Sequence, residues 1–274
     1  MLSPNLDHND LDRMVETACR MADAAGAAAL AHFRAQDLTA DNKDSSGGFD
    51  PVTVADRTSE AAMRAILTQE RPGDGILGEE EGHEQGETGL TWVLDPIDGT
   101  RAFISGLPSW GILIALDDGK EGRLGLVDQP HIGERFLGVP GRGAALLHKG
   151  QRREISVLPC PGLAAATLMT TDTNLFEPDE LPAFEAIRER AKLTRFGWDC
   201  YSYAMVALGQ VDLVVESGLA AYDIAAPAAL VRAAGGVVTD WQGGDPRWGG
   251  RVIAAGDPKV HAEALAILAQ VPPT

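Results

Sequence analysis

Hydrophobic residues recur along this chain at two spacings, and the two alternate. Seven apolar positions in the first segment follow a helical repeat: Leu11, Met14, Val15, Ala18, Ala22, Ala25 and Ala29. This repeat predicts a first helix over about residues 10–33. Shorter apolar runs that stop at Gly, Pro or Asp predict strands.

The same criteria divide the rest of the chain into further helices and strands. We predict helices over about residues 57–69, 179–192, 201–208, 223–234 and 258–270. We predict strands near residue 76 and at about residues 91–94, 112–116, 122–127, 135–139, 144–148, 153–157, 167–171, 213–216, 237–239 and 252–254. Residues 41–48 are polar and rich in Gly and Ser, which indicates a mobile loop.

This alternation predicts a mixed α/β fold (α+β) with layered sheets. The 274 residues, of which 45% are hydrophobic, can bury a substantial core. We interpret residues 1–274 as a single domain with two close lobes. The N-terminal lobe would end near residue 150 and the C-terminal lobe would begin near residue 151.

Composition limits the classes of partner. The formal net charge of −17 disfavours nucleic acid and anionic membranes. The chain has no uninterrupted apolar span that could cross a bilayer, and its N-terminus lacks the pattern of a secretion signal. The three cysteines form no metal-type cluster and are interpreted as buried free thiols. We therefore expect a cytoplasmic location.

The segment 92–100 carries the strongest chemical signal. It reads Trp-Val-Leu-Asp-Pro-Ile-Asp-Gly-Thr, so an apolar strand leads directly into two carboxylates, Asp95 and Asp98. Both can converge on one cation, with the carbonyl oxygen of Ile97 as a further hard ligand. The N–H groups of Gly99 and Thr100, at a helical turn, suit a phosphate oxygen. The segment therefore predicts magnesium-assisted phosphate chemistry.

Three more acidic groups lie at predicted element boundaries. Glu79 follows the strand near residue 76, Asp223 begins an Ala-rich helix, and Asp56 precedes the helix at residue 57. Taken singly, each has a simpler explanation as a turn residue, a solvated charge or a helix cap. Taken together with Asp95 and Asp98, they favour one shared site on element ends.

These motifs, in this order, resemble those of the inositol monophosphatase family. The resemblance rests on residues 50–56, 78–80, 95–100 and 222–226, and the chain has Tyr222 where the family usually has Trp. It implies a five-layered αβαβα sandwich, Mg²⁺-dependent hydrolysis of the phosphate monoester of a small metabolite, and a homodimer.

The resemblance also implies the role of each acidic group. Asp95 would bridge two Mg²⁺ ions, Glu79 and the Ile97 carbonyl would complete the ligands of the first, and Asp98 and Asp223 would hold the second. A third ion would bind more weakly near Glu79, with Asp56 acting through water. Thr100 and Asp56 would orient the attacking water with help from Glu79, and Gly99 and Thr100 would hold the phosphate.

Substrate choice depends on residues 195–203, Arg-Phe-Gly-Trp-Asp-Cys-Tyr-Ser-Tyr. This stretch resembles the histidinol-phosphate phosphatases of the same family. Asp199 and Glu216 would bind the ammonium group of L-histidinol phosphate through charge-assisted hydrogen bonds. Asp199 could equally be a helix N-cap, and Arg195 could hold Asp199 or reach the phosphate. Trp198 replaces a smaller residue and could narrow the pocket.

Three functions stay open on the sequence. The leading interpretation is hydrolysis of L-histidinol phosphate to L-histidinol, in histidine biosynthesis. The second is hydrolysis of inositol 1-phosphate or another sugar phosphate at the same site. The third, from another class, is a non-catalytic regulatory or binding protein of the family. The resemblance places Lys43 in a loop that could close over the site, although a solvated lysine explains it as well.

Overall fold

The computed structural model describes residues 6–36, 38–42 and 51–273, and for Pro51 the backbone alone. The helices are α1 (His8–Leu30), α2 (Val54–Glu70), α3 (Thr100–Ile104), α4 (Leu181–Arg188), α5 (Tyr201–Ala207), α6 (Ala221–Ala233) and α7 (Pro258–Leu268). The strands are β1 (Ala40–Asn42), β2 (Pro51–Thr53), β3 (Gly75–Gly78), β4 (Gly82–Glu84), β5 (Thr91–Asp98), β6 (Gly111–Asp117), β7 (Gly122–Gln129), β8 (Glu134–Val139), β9 (Gly143–His148), β10 (Gln151–Ile155), β11 (Thr167–Thr170), β12 (Leu193–Phe196), β13 (Leu213–Leu219), β14 (Val237–Thr239) and β15 (Gly250–Ala255).

Two sheets form the framework, beside the short β1–β2 pair. The larger sheet has eight strands in the order β10-β9-β8-β7-β6-β5-β3-β4, and most of its neighbours are antiparallel. The smaller sheet has five strands in the order β12-β11-β13-β15-β14. Strands β6 and β13 are buried along almost their whole length because helices cover both faces of each sheet.

Three hydrophobic clusters define five layers. The first lies between the α1–α2 pair and the larger sheet and includes the apolar stripe of α1. The second surrounds α5 and α6, which pack between the two sheets. The third joins the smaller sheet to α4 and α7. This order of helices, sheet, helices, sheet and helices is the predicted αβαβα sandwich, and the mixed α/β class is confirmed.

The predicted elements are present with shifted ends. Helix α2 begins at Val54 rather than near residue 57, because Thr53 and Asp56 form a reciprocal capping box around its first turn. Strand β5 runs on to Asp98 rather than ending at Leu94, with a register shift between Asp95 and Asp98. Helix α4 is shorter at both ends than predicted.

Four short strands were not predicted: β1, β2, β4 and β12. The exposed edge strands β4 and β12 have no alternating apolar pattern that could have predicted them. Asp41 and Asn42, predicted as loop, pair with β2 in strand β1. The rest of that predicted loop, including Lys43, and also Asp50, lie outside the described residues. None of the described helices has both the length and the apolar character that a bilayer crossing requires.

Candidate active site

Three predicted ligands converge at the end of the larger sheet. Asp95 and Asp98 come from β5, and Asp223 comes from the first turn of α6. One carboxylate oxygen from each lies within 4.8 Å of the other two. The register shift in β5 turns the backbone between Asp95 and Asp98 so that residues three apart can both face Asp223. The structure therefore brings these three groups together, as the sequence predicts.

Asp95 is the buried centre of this cluster. It is 1% exposed, and the Ile97 N–H donates to its Oδ1 at 3.0 Å. Burial raises the pKa of Asp95 well above its usual range, and the neighbouring charges of Glu79, Asp98 and Asp223 raise it further. Its side chain also shares a hydrogen bond with Glu79. Such crowding of carboxylates favours a bound cation, which would remove their repulsion.

Asp98 links this cluster to a segment of the other half of the chain. The Cys200 N–H donates to Asp98 Oδ2 at 2.6 Å, from a position directly after Asp199. Burial raises the pKa of Asp98, and the charges of Asp199 and Asp223 add to the rise. The backbone at Cys200 is thus hydrogen-bonded to Asp98, a predicted metal ligand. The residue directly before it, Asp199, is a predicted substrate residue.

Asp56 and Thr100 lie together beside the cluster. Asp56 is buried, and both the N–H and the hydroxyl of Thr53 donate to its Oδ2, at 2.8 and 2.6 Å. The Thr100 hydroxyl lies 3.4 Å from Asp56 Oδ1 and 3.1 Å from the Ile97 carbonyl oxygen, so it can donate to either. Asp56 is therefore both a helix-capping residue and the partner of Thr100.

Gly99 allows the two halves of the site to approach closely. It caps α3 with φ 82°, in the left-handed region that favours glycine. A Cβ atom at this position would lie 2.8 Å from Cγ of Asp199. Only a residue without a side chain therefore lets the predicted phosphate-binding turn pack against Asp199.

A cleft of about 260 Å³ opens above these groups. Its lining combines residues of both predicted functions: Asp98, Gly99, Thr100, Arg101, Thr171, Leu175, Asp199, Cys200, Tyr203, Glu216, Ser217, Gly218, Leu219 and Asp223. Asp98 and Asp223 of the carboxylate cluster therefore share one cleft with Asp199 and Glu216. A larger cavity, of about 590 Å³, lies between α1 and the β7–β10 strands and contains none of the predicted site residues.

Asp199 is held in an uncommon conformation. Its φ of 44° is in the left-handed region, which a non-glycine residue adopts mainly where its surroundings impose it. The buried Ser109 hydroxyl donates to Asp199 Oδ2 at 3.2 Å. The side chain of Gln129 donates to the carbonyl groups of Pro108 and Trp110, on either side of Ser109, at 2.8 and 3.0 Å. Burial raises the pKa of Asp199 to about 6, while Ser109 and Arg101 oppose the rise.

Glu216 is the least exposed of the described carboxyl groups that line the cleft. It is 2% exposed and accepts hydrogen bonds from the Thr171 N–H at 2.8 Å and the Thr171 hydroxyl at 3.0 Å. Burial raises its pKa to about 8, and the charge of Asp199 adds to the rise. Without a cation in the cleft, Glu216 is therefore neutral over the lower part of the neutral range.

The raised pKa of Glu216 predicts how stability depends on pH in the metal-free protein. Folding binds the proton more tightly, so this stabilisation is complete below about pH 4.5 and is lost as pH rises through about 8. A Glu216→Gln variant stays neutral and keeps an acceptor for Thr171. We expect its unfolding free energy to fall less between pH 5 and pH 8.5 than that of the wild type, by on the order of a few kcal/mol.

Urea unfolding with a chelator at the two pH values measures this difference. Equal slopes for the two proteins would mean that Glu216 is ionised throughout. Asp95, Asp98 and Asp199 have raised pKa values as well, so part of the slope should remain in the variant.

The remaining predicted substrate residues lie elsewhere. Arg195 is exposed on the edge strand β12, and the cleft lining in the described part of the chain does not include it. The arginine whose charge acts on Asp199 is Arg101. Trp198 packs against Tyr201, with ring centroids 6.1 Å apart, and is also not among the described lining residues. A contact of Arg195 with substrate stays a prediction.

Sequence reasoning missed the groups that support these side chains. Ser109, Gln129 and the Cys200 N–H act through contacts between residues that are 19 or more positions apart. All three cysteines are free, and Cys160 and Cys200 are buried, but Cys19 is only partly buried.

The donor set fits Mg²⁺. Three carboxylates within 4.8 Å of one another offer the hard oxygen ligands that this ion prefers. Asp95, Asp98 and Asp223 would hold it, with Glu79 and the Ile97 carbonyl beside them. A nitrogen- or sulfur-binding metal is not indicated, because the grouped ligands are carboxylates.

A layered αβαβα sandwich with a carboxylate cluster beside a turn whose N–H groups could bind phosphate fits the class of metal-assisted phosphatases. The sequence profile of the inositol monophosphatase family matches residues 10–272. The chain therefore belongs to the inositol monophosphatase family, as the sequence predicts. Proteins of this family are phosphatases that act on small phosphorylated substrates and are generally Mg²⁺-dependent.

Known relatives differ in their substrates. The chain is 40% identical over 271 residues to the bifunctional phosphatase IMPL2, chloroplastic, of Arabidopsis thaliana, covering 95% of this chain and 76% of that protein. It is 35% identical over 262 residues to the histidinol-phosphatase of Mycobacterium tuberculosis, covering 95% and 98%. Among solved structures, an inositol monophosphatase from Zymomonas mobilis superposes with a TM-score of 0.82 and 44% identity, covering 94% and 98%.

Proposed function

We propose that this chain hydrolyses L-histidinol phosphate to L-histidinol and phosphate, with Mg²⁺ as cofactor. The observation that carries the proposal is the position of Asp199. This carboxylate packs against Gly99, is hydrogen-bonded by Ser109, and shares one cleft with Glu216 and the metal-type cluster. A phosphate ester that carries an ammonium group matches a cleft whose carboxylates include Asp199 and Glu216 in addition to the predicted metal ligands.

The chain's own residues would act at the phosphoryl end as follows. Five groups would hold the cation: the carboxylates of Asp95, Asp98, Asp223 and Glu79, and the carbonyl oxygen of Ile97. Bound Mg²⁺ supplies positive charge for the phosphoryl oxygens and lowers the pKa of a water molecule. In this arrangement no side chain needs to attack the phosphorus.

Thr100 and Asp56 would orient the water. The Thr100 hydroxyl can accept a hydrogen bond from the water while it donates to Asp56 Oδ1, 3.4 Å away. Glu79 would share that role, since its side chain is hydrogen-bonded to Asp95. The N–H groups of Gly99 and Thr100 bind a phosphoryl oxygen. General acid–base help of this kind contributes roughly 10²–10⁴-fold, so charge neutralisation carries most of the acceleration.

Asp199 and Glu216 would bind the leaving alcohol. An ammonium group next to the ester carbon would receive charge-assisted hydrogen bonds in a partly dry cleft, where such bonds are strong. Its positive charge would also lower the pKa of both carboxyl groups and so favour their ionised forms. We further propose a division of labour in which residues to about 150 supply most cation ligands and later residues bind the alcohol.

Hydrolysis of inositol 1-phosphate is the second candidate. The 44% identity to the inositol monophosphatase from Zymomonas mobilis favours it, and Glu216 could accept hydrogen bonds from inositol hydroxyls. A non-catalytic protein would not need groups that orient a water molecule. Because the chain has the Thr100–Asp56 pair and Glu79, a catalytic role is favoured over a non-catalytic one.

Phosphate release measured side by side on L-histidinol phosphate and myo-inositol 1-phosphate, with saturating Mg²⁺, tests the proposal. We expect kcat/KM to be at least about tenfold higher for L-histidinol phosphate, and we expect Asp199→Asn to remove most of that preference because it removes a charge-assisted hydrogen bond. A preference for inositol 1-phosphate would favour the second candidate. Release from neither substrate would favour the non-catalytic alternative.

A further inference from the structure

A buried glutamate on α2 holds the loop that carries Glu79. Glu60 is 0% exposed, and its carboxylate lies against residues 79–81, which join β3 to β4. The Glu80 N–H donates to Glu60 Oε2 at 2.7 Å, and the Glu81 N–H donates to Oε1 at 3.0 Å. The N–H of Glu79 itself donates to the carbonyl oxygen of Leu94 in β5 at 3.2 Å. Three successive N–H groups of the loop are therefore bonded, two of them to Glu60.

Glu60 and this loop are packed closely together. At Gly78, the last residue of β3, a Cβ atom would lie 2.2 Å from Glu60 Oε1. The lack of a side chain at Gly78 therefore lets the carboxylate reach the loop. Arg64, one turn further along α2, donates to Glu60 Oε1 at 2.8 Å. It also donates to the carbonyl oxygen of Gly82, the first residue of β4, at 2.7 Å. The Glu60–Arg64 pair thus holds both the loop and the strand that follows it.

An ion pair within α2 explains only part of these contacts. Glutamate and arginine four positions apart often pair on an exposed helix surface. Glu60 is instead fully buried and accepts hydrogen bonds from two peptide groups outside its helix. Burying a carboxylate is costly unless its oxygens are hydrogen-bonded, so Glu60 and the loop stabilise each other's position. Because Glu79 begins this loop and its side chain is hydrogen-bonded to Asp95, its place beside the carboxylate cluster depends on the loop.

We propose that Glu60 is a positioning residue for the cation site: it holds the loop so that the Glu79 carboxylate stays beside Asp95. This inference rests on the proposed function, in which Glu79 is a ligand of Mg²⁺. Removing a group that orients a metal ligand through hydrogen bonds typically lowers metal affinity roughly 10–100-fold. Here those bonds go to the backbone next to the ligand. Without them, the Glu79 side chain would have to be ordered when Mg²⁺ binds, and the affinity would fall.

Glu60→Gln tests the proposal with little change of shape. An amide has one acceptor oxygen instead of two, so its NH₂ group must face one of the N–H groups that the carboxylate accepts. Arg64 keeps other partners in this variant, because Glu81 Oε2 and Glu84 Oε2 lie 3.6 and 3.7 Å from its guanidinium nitrogens. The variant therefore loosens the loop without leaving the arginine unpaired.

Glu70→Gln is the matched control on the same helix. Glu70 is the last residue of α2 and pairs with Arg20 of α1 at 2.7 Å. The change removes the same charge and leaves both loop bonds of Glu60 in place. Calorimetry measures the Kd for Mg²⁺. We expect it to rise roughly 10–100-fold in Glu60→Gln and to stay within about twofold of wild type in Glu70→Gln, whatever the two melting temperatures.

A double-mutant cycle shows whether Glu60 acts through Glu79. Glu79→Gln removes the charge of the predicted ligand and should itself weaken Mg²⁺ binding. In that background we expect Glu60→Gln to raise the Kd by less than about twofold, because the carboxylate that it positions is no longer present. A structural role that is independent of Glu79 would give the same fold-change in both backgrounds.

Two results would overturn the inference. An unchanged Kd in folded Glu60→Gln would mean that the site does not need this support, and equal fold-changes in the two backgrounds would mean that Glu60 acts by another route. If Glu60→Gln does not fold, Glu60→Asp provides the same test with the same expected rise in Kd, because it keeps the charge beside Arg64 but is too short to reach both N–H groups. If Glu79→Gln alone binds Mg²⁺ as the wild type does, the ligand assignment of the proposed function fails and the inference fails with it. That outcome is distinguishable because it involves no Glu60 variant.

Discussion

Replacing Asp95 by Asn is expected to abolish phosphate release, with a loss of at least about a thousandfold in kcat at saturating Mg²⁺. The asparagine keeps the shape of the side chain and can still accept the Ile97 N–H, which lies 3.0 Å from Asp95 Oδ1. It loses the negative charge at the centre of the carboxylate cluster. Weaker Mg²⁺ binding, measured by calorimetry, should accompany the loss of activity.

The same variant should be more stable than the wild type when metal is removed. Burial and the charges of Glu79, Asp98 and Asp223 all raise the pKa of Asp95, so a neutral side chain relieves a cost of folding near neutral pH. Asp128→Asn is the control outside the cleft: burial raises the pKa of Asp128 as well, but this change also removes the carboxylate that pairs with the largely buried Arg135 at 2.7 Å. We expect that control to lose stability and to keep its activity. Near-normal kcat in Asp95→Asn would contradict the assignment.

Replacing Gly99 by Ala is the second change with a large expected effect. The added Cβ would lie 2.8 Å from Cγ of Asp199, and alanine at φ 82° adds backbone strain of about 1–2 kcal/mol. The collision would displace the phosphate-binding turn, Asp199, or both. A displacement of about 1 Å at a catalytic group can cost roughly a hundredfold in rate. We expect a loss of this size in kcat/KM, together with a lower melting temperature.

Gly119→Ala separates the collision from the strain. Gly119 has φ 84°, almost the value of Gly99, and a Cβ there would have no neighbour within 4 Å. It lies between β6 and β7, and the described lining of the cleft does not include it. We expect this variant to lose a similar amount of stability from strain alone and to retain its kcat/KM. Equal losses of activity in the two variants would mean that contact between Gly99 and Asp199 is unimportant.

The larger elements of the fold could be predicted because their patterns are local. The apolar stripe from Leu11 to Ala29 predicts α1, and the uninterrupted apolar runs predict the central strands β5 and β6. Exposed edge strands such as β12 have large side chains on the surface, including Leu193 and Phe196, so their sequence does not distinguish strand from loop. Their pairing is decided by the neighbouring strand β11.

The gathering of Asp95, Asp98 and Asp223 was also predictable, because the acidic motifs occur in the order typical of the family. The surroundings of the predicted substrate residues were only partly predictable. Asp199 and Glu216 could be named, but the hydroxyl of Ser109 and the amide of Gln129 acquire their roles from contacts across the fold. Lys43 lies outside the described residues, and its contact with substrate stays a prediction, as do the homodimer and the cytoplasmic location.

The central claim is that one cluster of carboxylates gathers divalent cations against a phosphoryl group. Anomalous diffraction from crystals grown with Mn²⁺ and inorganic phosphate tests it most directly. We predict at least one strong peak within coordination distance of Asp95, Asp98 and Asp223, with the phosphate between that peak and the N–H groups of Gly99 and Thr100. Cations bound elsewhere, with these three carboxylates left without any, would contradict the account.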